Sequence, residues 1–163
     1  ELGQRSGRTG LIVALDSVTD PHNLGAVMRS AAAFRADGVL IPERRSASVN
    51  ATVWKVSAGA AARLPVARET NLVRALSWLK EQGYFVLGLA GDGEVDVAGA
   101  DMADVPVVLV TGSEGAGLSR LVRETCDVVV SIPIDSATES LNAAVATGIA
   151  LYQIDSDRKD VQG

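Results

Sequence analysis

Three closely spaced glycines occur where the chain could pass close to a bound ligand. The segment TGSEGAGL runs from Thr111 to Leu118, between a strongly apolar stretch and a short predicted helix. Because glycine lets a backbone approach a ligand closely or turn with positive φ, the pattern indicates a binding loop. The segment lacks the Gly-Lys-Ser/Thr ending of an ATPase loop, and none of the 16 glycines forms a GxGxxG dinucleotide fingerprint. These absences argue against an ATPase or a Rossmann oxidoreductase.

An asparagine and an arginine six positions apart mark the start of another predicted helix. The segment DSVTDPHNLG, residues 16–25, contains Asn23, and the helix that follows carries Arg29. This spacing places Asn23 near the N-cap and Arg29 less than two turns further along. Taken alone, the segment is explained by capping, with Asn23 satisfying free N–H groups and Arg29 as a solvated charge.

A third polar segment joins an apolar strand to a long apolar helix. The sequence IPI at residues 132–134 is followed by a polar stretch up to Glu139 and then by SLNAAVA, which begins at Ser140. Ser140 is predicted to cap this helix. Small residues at positions 143, 144 and 146 would let the helix approach another backbone closely.

The elements that must position these segments alternate along the chain. Predicted strands cover residues 11–15, 39–41, 64–67, 84–89, 105–110 and 128–132. Predicted helices cover residues 24–35, 51–60, 71–82, 119–125 and 140–154. The strands are apolar throughout, as strands buried on both faces are, so the predicted fold class is α/β with a mostly parallel sheet flanked by helices. Such sheets bind ligands at the carboxyl ends of their strands, where the polar segments would gather.

Composition narrows the function classes further. A chain of 163 residues that is 47% hydrophobic fits one compact domain. Cys126 is the only cysteine and His22 the only histidine, which excludes an internal disulfide and a metal site built from several cysteines or histidines. The absence of a GxSxG nucleophile elbow argues against a hydrolase triad. The net charge of −5 is polarised, with +5 in residues 1–80 and −10 in residues 81–163. A basic N-terminal half could meet nucleic-acid phosphates, although scattered surface charge explains the numbers equally well.

In this order, the three polar segments closely resemble the signature motifs of the SpoU family of SPOUT RNA methyltransferases. They match its Asn-to-Arg first motif, its GSEGxGL second motif and its IP-to-SLN third motif, and the resemblance covers residues 10–153. The segments between them resemble the branch that methylates a guanosine ribose in 23S ribosomal RNA; these are residues 45–52, 55–61, 65–68 and 70–72. Ser136, where glycine is common, and Ala143-Ala144, in place of a frequent Val-Ser pair, depart from the pattern.

The resemblance implies a fold feature and a cofactor that the residue pattern alone does not. Members of this family have a deep C-terminal trefoil knot, contrary to the general rule against threaded chains, and they act as homodimers. They bind S-adenosylmethionine within the knot, largely through backbone groups, and no metal is implied. Carried over by position, the cofactor-binding residues are Thr111, Gly112, Gly117, Ile132, Ile134, Leu141 and Asn142.

The implied reaction is attack by an RNA ribose 2'-hydroxyl on the sulfonium methyl group, which requires positioning and removal of the hydroxyl proton. By resemblance, the catalytic residues are Asn23, Arg29, Glu114, Ser140 and Asn142. Because arginine stays protonated at accessible pH, we expect Arg29 to hold the nucleotide phosphate and stabilise developing alkoxide charge rather than act as a base. In this family the active site combines both protomers, so Arg29 would serve the partner's cofactor.

The domain organisation follows from the same resemblance. Residues 1–10 look like a linker remnant, residues 11–155 the catalytic methyltransferase domain, and residues 156–163 a frayed polar tail. We expect an upstream RNA-binding domain that is absent from this chain. With no apolar stretch long enough to span a membrane and no signal-peptide pattern, the predicted location is cytoplasmic.

Three alternatives remain at this level. The first is a related enzyme that methylates transfer RNA or another ribosomal site, including a site of antibiotic resistance. The second is a non-catalytic RNA-binding homologue, which the presence of all the candidate catalytic residues disfavours. The third is a Rossmann-like oxidoreductase or a small-molecule methyltransferase, which the fold class alone would permit but the missing dinucleotide fingerprint and the three motifs disfavour.

Overall fold

The computed structural model describes residues 9–18, 20–43, 55, 57–113 and 116–162, without the side chains of residues 61, 62, 161 and 162. The strands are β1 (Leu11–Asp16), β2 (Gly38–Pro42), β3 (Val66–Glu69), β4 (Phe85–Leu89), β5 (Val95–Asp96), β6 (Val107–Gly112) and β7 (Val128–Ser131). The helices are α1 (Pro21–Ala33), α2 (Ala60–Arg63), α3 (Leu72–Glu81), α4 (Arg120–Thr125) and α5 (Ala143–Gln162), and a single 3-10 turn covers Val97–Gly99.

The described strands form one parallel sheet in the order β3-β2-β1-β6-β4-β7-β5. Strands β1 and β6 lie at its centre, and all six residues of each are buried. The continuous apolar runs therefore arise as predicted, because helices cover both faces of the sheet. The prediction of an α/β fold with a parallel sheet flanked by helices is confirmed.

Alternate residues of each central strand enter two separate hydrophobic cores. On one face Leu11, Val13 and Leu15 of β1 pack in a cluster with helices α1 and α5. On the other face Ile12 and Ala14 pack in a cluster with helices α3 and α4. The period of two along a strand thus separates two helical layers, and the carboxyl ends of the strands remain open between them.

The C-terminal helix is longer than the sequence indicates. It runs to Gln162, so the prediction that it ends at residue 154 is wrong, and the residues described up to 162 in the predicted polar tail are helical. The Arg158 guanidinium donates to the backbone oxygens of Thr9, Gly10 and Val105 at 2.9, 2.9 and 3.1 Å. These charge-assisted bonds tie the polar end of the helix to the entries of β1 and β6, a tertiary effect that a local sequence pattern does not contain.

The remaining differences are local. Strand β5 is absent from the predicted strands because it has two residues and no recognisable periodicity. Most of the predicted helix 51–60 lies outside the described residues, and the short helix α2 begins only at Ala60. No helix in the described part of the chain is both long and apolar enough to cross a bilayer.

Candidate active site

A cleft of about 930 Å³ opens at the carboxyl ends of β4, β6 and β7. The loops that follow these strands form its walls, together with the start of α5, as expected for an open parallel sheet. The structure brings together in this cleft all the residues predicted to bind the cofactor, namely Thr111, Gly112, Gly117, Ile132, Ile134, Leu141 and Asn142.

Residues 112–119 are called the glycine loop. Two backbone segments are in contact at Gly112, where this loop begins. A Cβ atom added to Gly112 would overlap the carbonyl group of Gly117, while Gly117 itself has a φ of +66°. The Gly117 amide donates to the carbonyl oxygen of Ser113 at 2.9 Å. One glycine is therefore required for close approach and the other for a left-handed turn. Glu114, predicted to be catalytic, lies in this loop but outside the described residues.

A buried pair of threonines holds the wall of the cleft against α5. The Thr147 hydroxyl donates to the carbonyl oxygen of Ala143 at 2.7 Å, which uses its only proton. The Oγ1 atoms of Thr111 and Thr147 lie 2.7 Å apart, so Thr111 is the donor in that second bond. Both residues are buried, with 3% and 0% exposure. The side chain of Thr111 is thereby oriented from behind the cleft.

Thr147→Val is expected to lower the free energy of unfolding by about 1–3 kcal/mol, because it leaves the Thr111 hydroxyl buried without its acceptor. Urea denaturation of both proteins measures this loss. The matched control is Thr125→Val, which removes the same kind of bond to the fourth preceding carbonyl, that of Leu121, where the bond is exposed to solvent. Equal losses in the two variants would contradict the role given to the buried pair.

The cap of α1 differs from the prediction for a recognisable reason. The N-cap is Asp20, whose carboxylate accepts from the His22 amide at 2.8 Å, and Pro21 is the first helical residue. The helix therefore begins three residues before the predicted start at residue 24, and Asn23, predicted near the N-cap, lies in the first turn. The Asp-Pro pair was the available signal, since proline is favoured at the first position of a helix and aspartate before it.

The cap of α5 is Asn142 rather than Ser140. The side-chain oxygen of Asn142 accepts from the amides of Ala144 and Val145 at 2.8 and 3.1 Å, whereas Ser140 is exposed on the rim of the cleft. The Asn142 amide nitrogen donates to the side-chain oxygen of Asn23 at 3.2 Å. Two predicted site residues, distant in sequence, are thus joined through a helix cap.

Arg29 lies apart from the cleft of its own chain. It is exposed on α1, does not line the cleft, and has no ion pair with the residues that the structure describes. Its position is about 120° around the helix axis from Asn23. Of the predicted catalytic residues in the described ranges, Ser140 and Asn142 line the cleft, Asn23 contacts Asn142, and Arg29 is not brought to them.

A second groove, of about 670 Å³, lies on the surface between α1 and α5. Its wall on α5 includes Val145, Ile149 and Tyr152, which are 52%, 40% and 59% exposed. These apolar residues follow one another at helical spacing, so they form a continuous stripe. Asn23 and Asn142 line the end of this groove, and Asn142 also lines the cleft.

The single cysteine is not available as a nucleophile. Burial raises the pKa of the Cys126 thiol to about 11, and the thiol donates to the carbonyl oxygen of Val122 at 3.3 Å. A thiol with this pKa is almost entirely neutral at pH 7, and only the thiolate attacks. Cys126 also lies outside the cleft, packed against Gly88 beneath it.

Residues 10–152 match the model of the SpoU rRNA Methylase family. A relative from Mycolicibacterium vanbaalenii, described as an uncharacterised tRNA/rRNA methyltransferase, is 60% identical over 149 residues, which are 91% of this chain and 47% of that protein. A Mycobacterium leprae protein of the same description is 57% identical over 91% of this chain and 48% of its own length. The chain thus spans about half the length of the curated relatives it matches.

Solved structures share this fold. The SpoU methyltransferase AviRb from Streptomyces viridochromogenes is 31% identical with a TM-score of 0.88, over 94% of this chain and 62% of that chain. Its complex with the cofactor AdoMet gives a TM-score of 0.85 over 96% of this chain and 62% of that chain. The TrmH/SpoU tRNA modifying enzyme of A. aeolicus, 28% identical, gives a TM-score of 0.85 over 99% of this chain and 80% of its own.

Proposed function

The chain belongs to the SpoU rRNA methylase family, and from this membership we propose that it transfers a methyl group from S-adenosylmethionine to a ribose 2'-hydroxyl of RNA. A guanosine of 23S ribosomal RNA is the proposed target, and the cytoplasm the proposed location. The observation that carries the proposal is the cleft in which the residues of the second and third motifs meet. The relatives, named for transfer or ribosomal RNA, support RNA as the substrate class.

The cleft suits S-adenosylmethionine by its size and its chemistry. Ile132, Ile134 and Leu141 offer apolar surface for adenine and the thioether carbons, while the backbone at Gly112 and Gly117 is free of side chains. Largely apolar walls with a few main-chain polar groups are typical of cofactor sites. When bound, this cofactor supplies an activated methyl group on a sulfonium centre.

The protein's own contribution is positioning and charge stabilisation. Asn142, held by the helix it caps and by Asn23, would present a rigid edge of the cleft to the target nucleotide. Ser140 on the rim and Glu114 complete the proposed catalytic set. Arg29 would hold the nucleotide phosphate with its forked guanidinium and stabilise charge that develops on the ribose oxygen as its proton leaves.

We also propose that the chain is a homodimer in which Arg29 serves the cleft of the partner. Two features support this arrangement: Arg29 is exposed and does not line its own cleft, and the apolar stripe of Val145, Ile149 and Tyr152 is exposed along the groove between α1 and α5. A second copy would cover that stripe through a self-complementary interface. The deep trefoil knot implied by the family resemblance stays a prediction.

Mixed dimers test the shared site. Equimolar chains carrying Arg29→Ala and Gly112→Val, refolded together, should recover about a quarter of wild-type activity, since half of the dimers would be mixed and each would contain one intact composite site. Methyl transfer to RNA measures the recovery. Each variant mixed with itself serves as the control. Absence of recovery, with mixed dimers verified by affinity tags, would place Arg29 in its own chain's site. Failure of differently tagged chains to associate would contradict the dimer itself.

The reaction itself is tested by offering labelled S-adenosylmethionine with 23S ribosomal RNA, 16S ribosomal RNA or transfer RNA. Ribose methylation protects the adjacent phosphodiester from alkaline hydrolysis, so the modified nucleotide can be mapped directly. Label at one guanosine ribose of 23S ribosomal RNA is the expected result. Label in transfer RNA would replace the proposed target, and label on a base would contradict the proposed chemistry.

A further inference from the structure

Asp16 is a buried carboxylate at the carboxyl end of β1, outside the cleft and outside the predicted site. It is only 5% exposed. One carboxylate oxygen accepts from the backbone amide of Ser119 at 2.7 Å, and the other faces the hydroxyl of Ser17 at 3.4 Å. Burying a carboxylate is costly unless it is hydrogen-bonded, so the bond to Ser119 is an integral part of this arrangement.

This one residue holds both ends of the glycine loop. In the β1 and β6 ladder Asp16 is the partner of Gly112, the first residue of the loop. Its side chain reaches Ser119, the N-cap of α4 at the far end of the loop. Ser119 has no side-chain cap bond of its own, and a carboxylate beside a helix start complements the free amides there. Asp16 is therefore next to both ends of the loop, although it lies outside the cleft.

The same residue begins the segment that leads to α1. Ser17 follows directly with a φ of +63°, a left-handed conformation that turns the chain sharply towards the Asp20 cap. A non-glycine residue is held in this region only when its surroundings fix it. Asp16 thus connects two parts of the proposed site. It contacts the glycine loop, and it leads through Ser17 to the helix that carries Asn23 and Arg29.

We propose that Asp16 is a positioning residue that keeps Gly112 and Ser119, the two ends of the glycine loop, in fixed relation to each other and to α1. The inference rests on the proposed function of the cleft. Asp16 does not line the cleft, so it acts through the Ser119 amide and the Gly112 backbone rather than by touching a ligand.

The test compares Asp16→Ala with Asp37→Ala in the full chain. Asp37 is the matched control because it is also a buried aspartate, 6% exposed, whose carboxylate accepts a backbone amide, that of Leu11 at 2.8 Å, at the opposite end of the sheet. Both variants should lose stability in urea. Only Asp16→Ala should weaken S-adenosylmethionine binding in calorimetry, by about tenfold or more, as loss of a supporting hydrogen bond does at other sites. Asp16→Asn, which keeps an acceptor oxygen, should recover most of the affinity.

Hydrogen exchange gives a readout that does not depend on the cofactor. Amides of Gly117 and Ser119 should exchange faster in Asp16→Ala and at the wild-type rate in Asp37→Ala. Ser119→Pro removes the donor at a φ of −64° that proline adopts, and combined with Asp16→Ala it should weaken binding no further. Unchanged loop exchange, or equal cofactor affinity in the two aspartate variants, would overturn the inference. Failure of the wild-type chain to bind the cofactor would instead contradict the proposed function.

Discussion

Arg29→Lys is expected to lower turnover by about a hundredfold to a thousandfold while the affinity for S-adenosylmethionine stays at the wild-type value. The substitution keeps the positive charge but replaces the planar, forked donor with a point charge. Cofactor affinity should not change because the proposed contact of Arg29 is with the phosphate of the target nucleotide and not with the cofactor. Single-turnover methyl transfer and cofactor calorimetry on the same preparations measure the two quantities separately.

A charge-conserving control is available on another helix. Arg74 is exposed on α3, which packs on the opposite face of the sheet, so Arg74→Lys should leave both turnover and cofactor affinity unchanged. Turnover retained in Arg29→Lys would discard the geometric role and leave only a contribution of net charge. A fall in cofactor affinity equal to the fall in turnover would show that Arg29 contributes to the cofactor site rather than to the reaction.

Gly112→Val is expected to abolish measurable S-adenosylmethionine binding, with a loss of affinity of about a hundredfold or more. Even a Cβ atom at this position overlaps the backbone of Gly117, so Gly112 and Gly117 must move apart and the wall of the cleft must shift. Gly112→Ala, with the smallest possible side chain, should give an intermediate loss. Calorimetric titration of each protein measures the effect.

The control for this experiment lies in the same cleft. Gly91 also lines it, but a Cβ atom there would meet no atom within 4 Å, so Gly91→Ala should bind the cofactor as the wild-type protein does. Thermal unfolding of all variants separates a local shift of the loop from loss of the fold. A Gly112→Val protein that stays folded and binds normally would show that the cofactor site lies elsewhere.

Much of the sheet could be predicted because its strands are short runs of apolar residues. The residue types within such a run are enough to indicate that it is buried. The runs at residues 11–15 and 128–132 begin where the observed strands β1 and β7 begin. Strand β5 could not be predicted, because Val95 and Asp96 pair with β7 through backbone groups and have no pattern of their own. Its existence depends on a neighbouring strand that is distant in sequence.

The ends of the helices also differ in whether the sequence could predict them. The start of α1 could have been recognised from Asp20 and Pro21, whose preferences are local. The end of α5 could not, because the polar residues there are held by tertiary contacts, among them those of Arg158 with the backbone before β1 and β6. Asn142 belongs to both cases, since its capping role is local and its bond to Asn23 is tertiary.

The sequence alone determined the alternation of strands and helices, the parallel sheet and the three polar segments, because these depend on residue type, periodicity and order along the chain. The tertiary structure decided which side chains meet: it gathered Thr111, Ile132 and Leu141 in one cleft and left Arg29 exposed outside it. It also gave Asp16 a second contact with the glycine loop, at Ser119. Such contacts join residues on different strands and helices, so they depend on how those elements pack and not on any local preference.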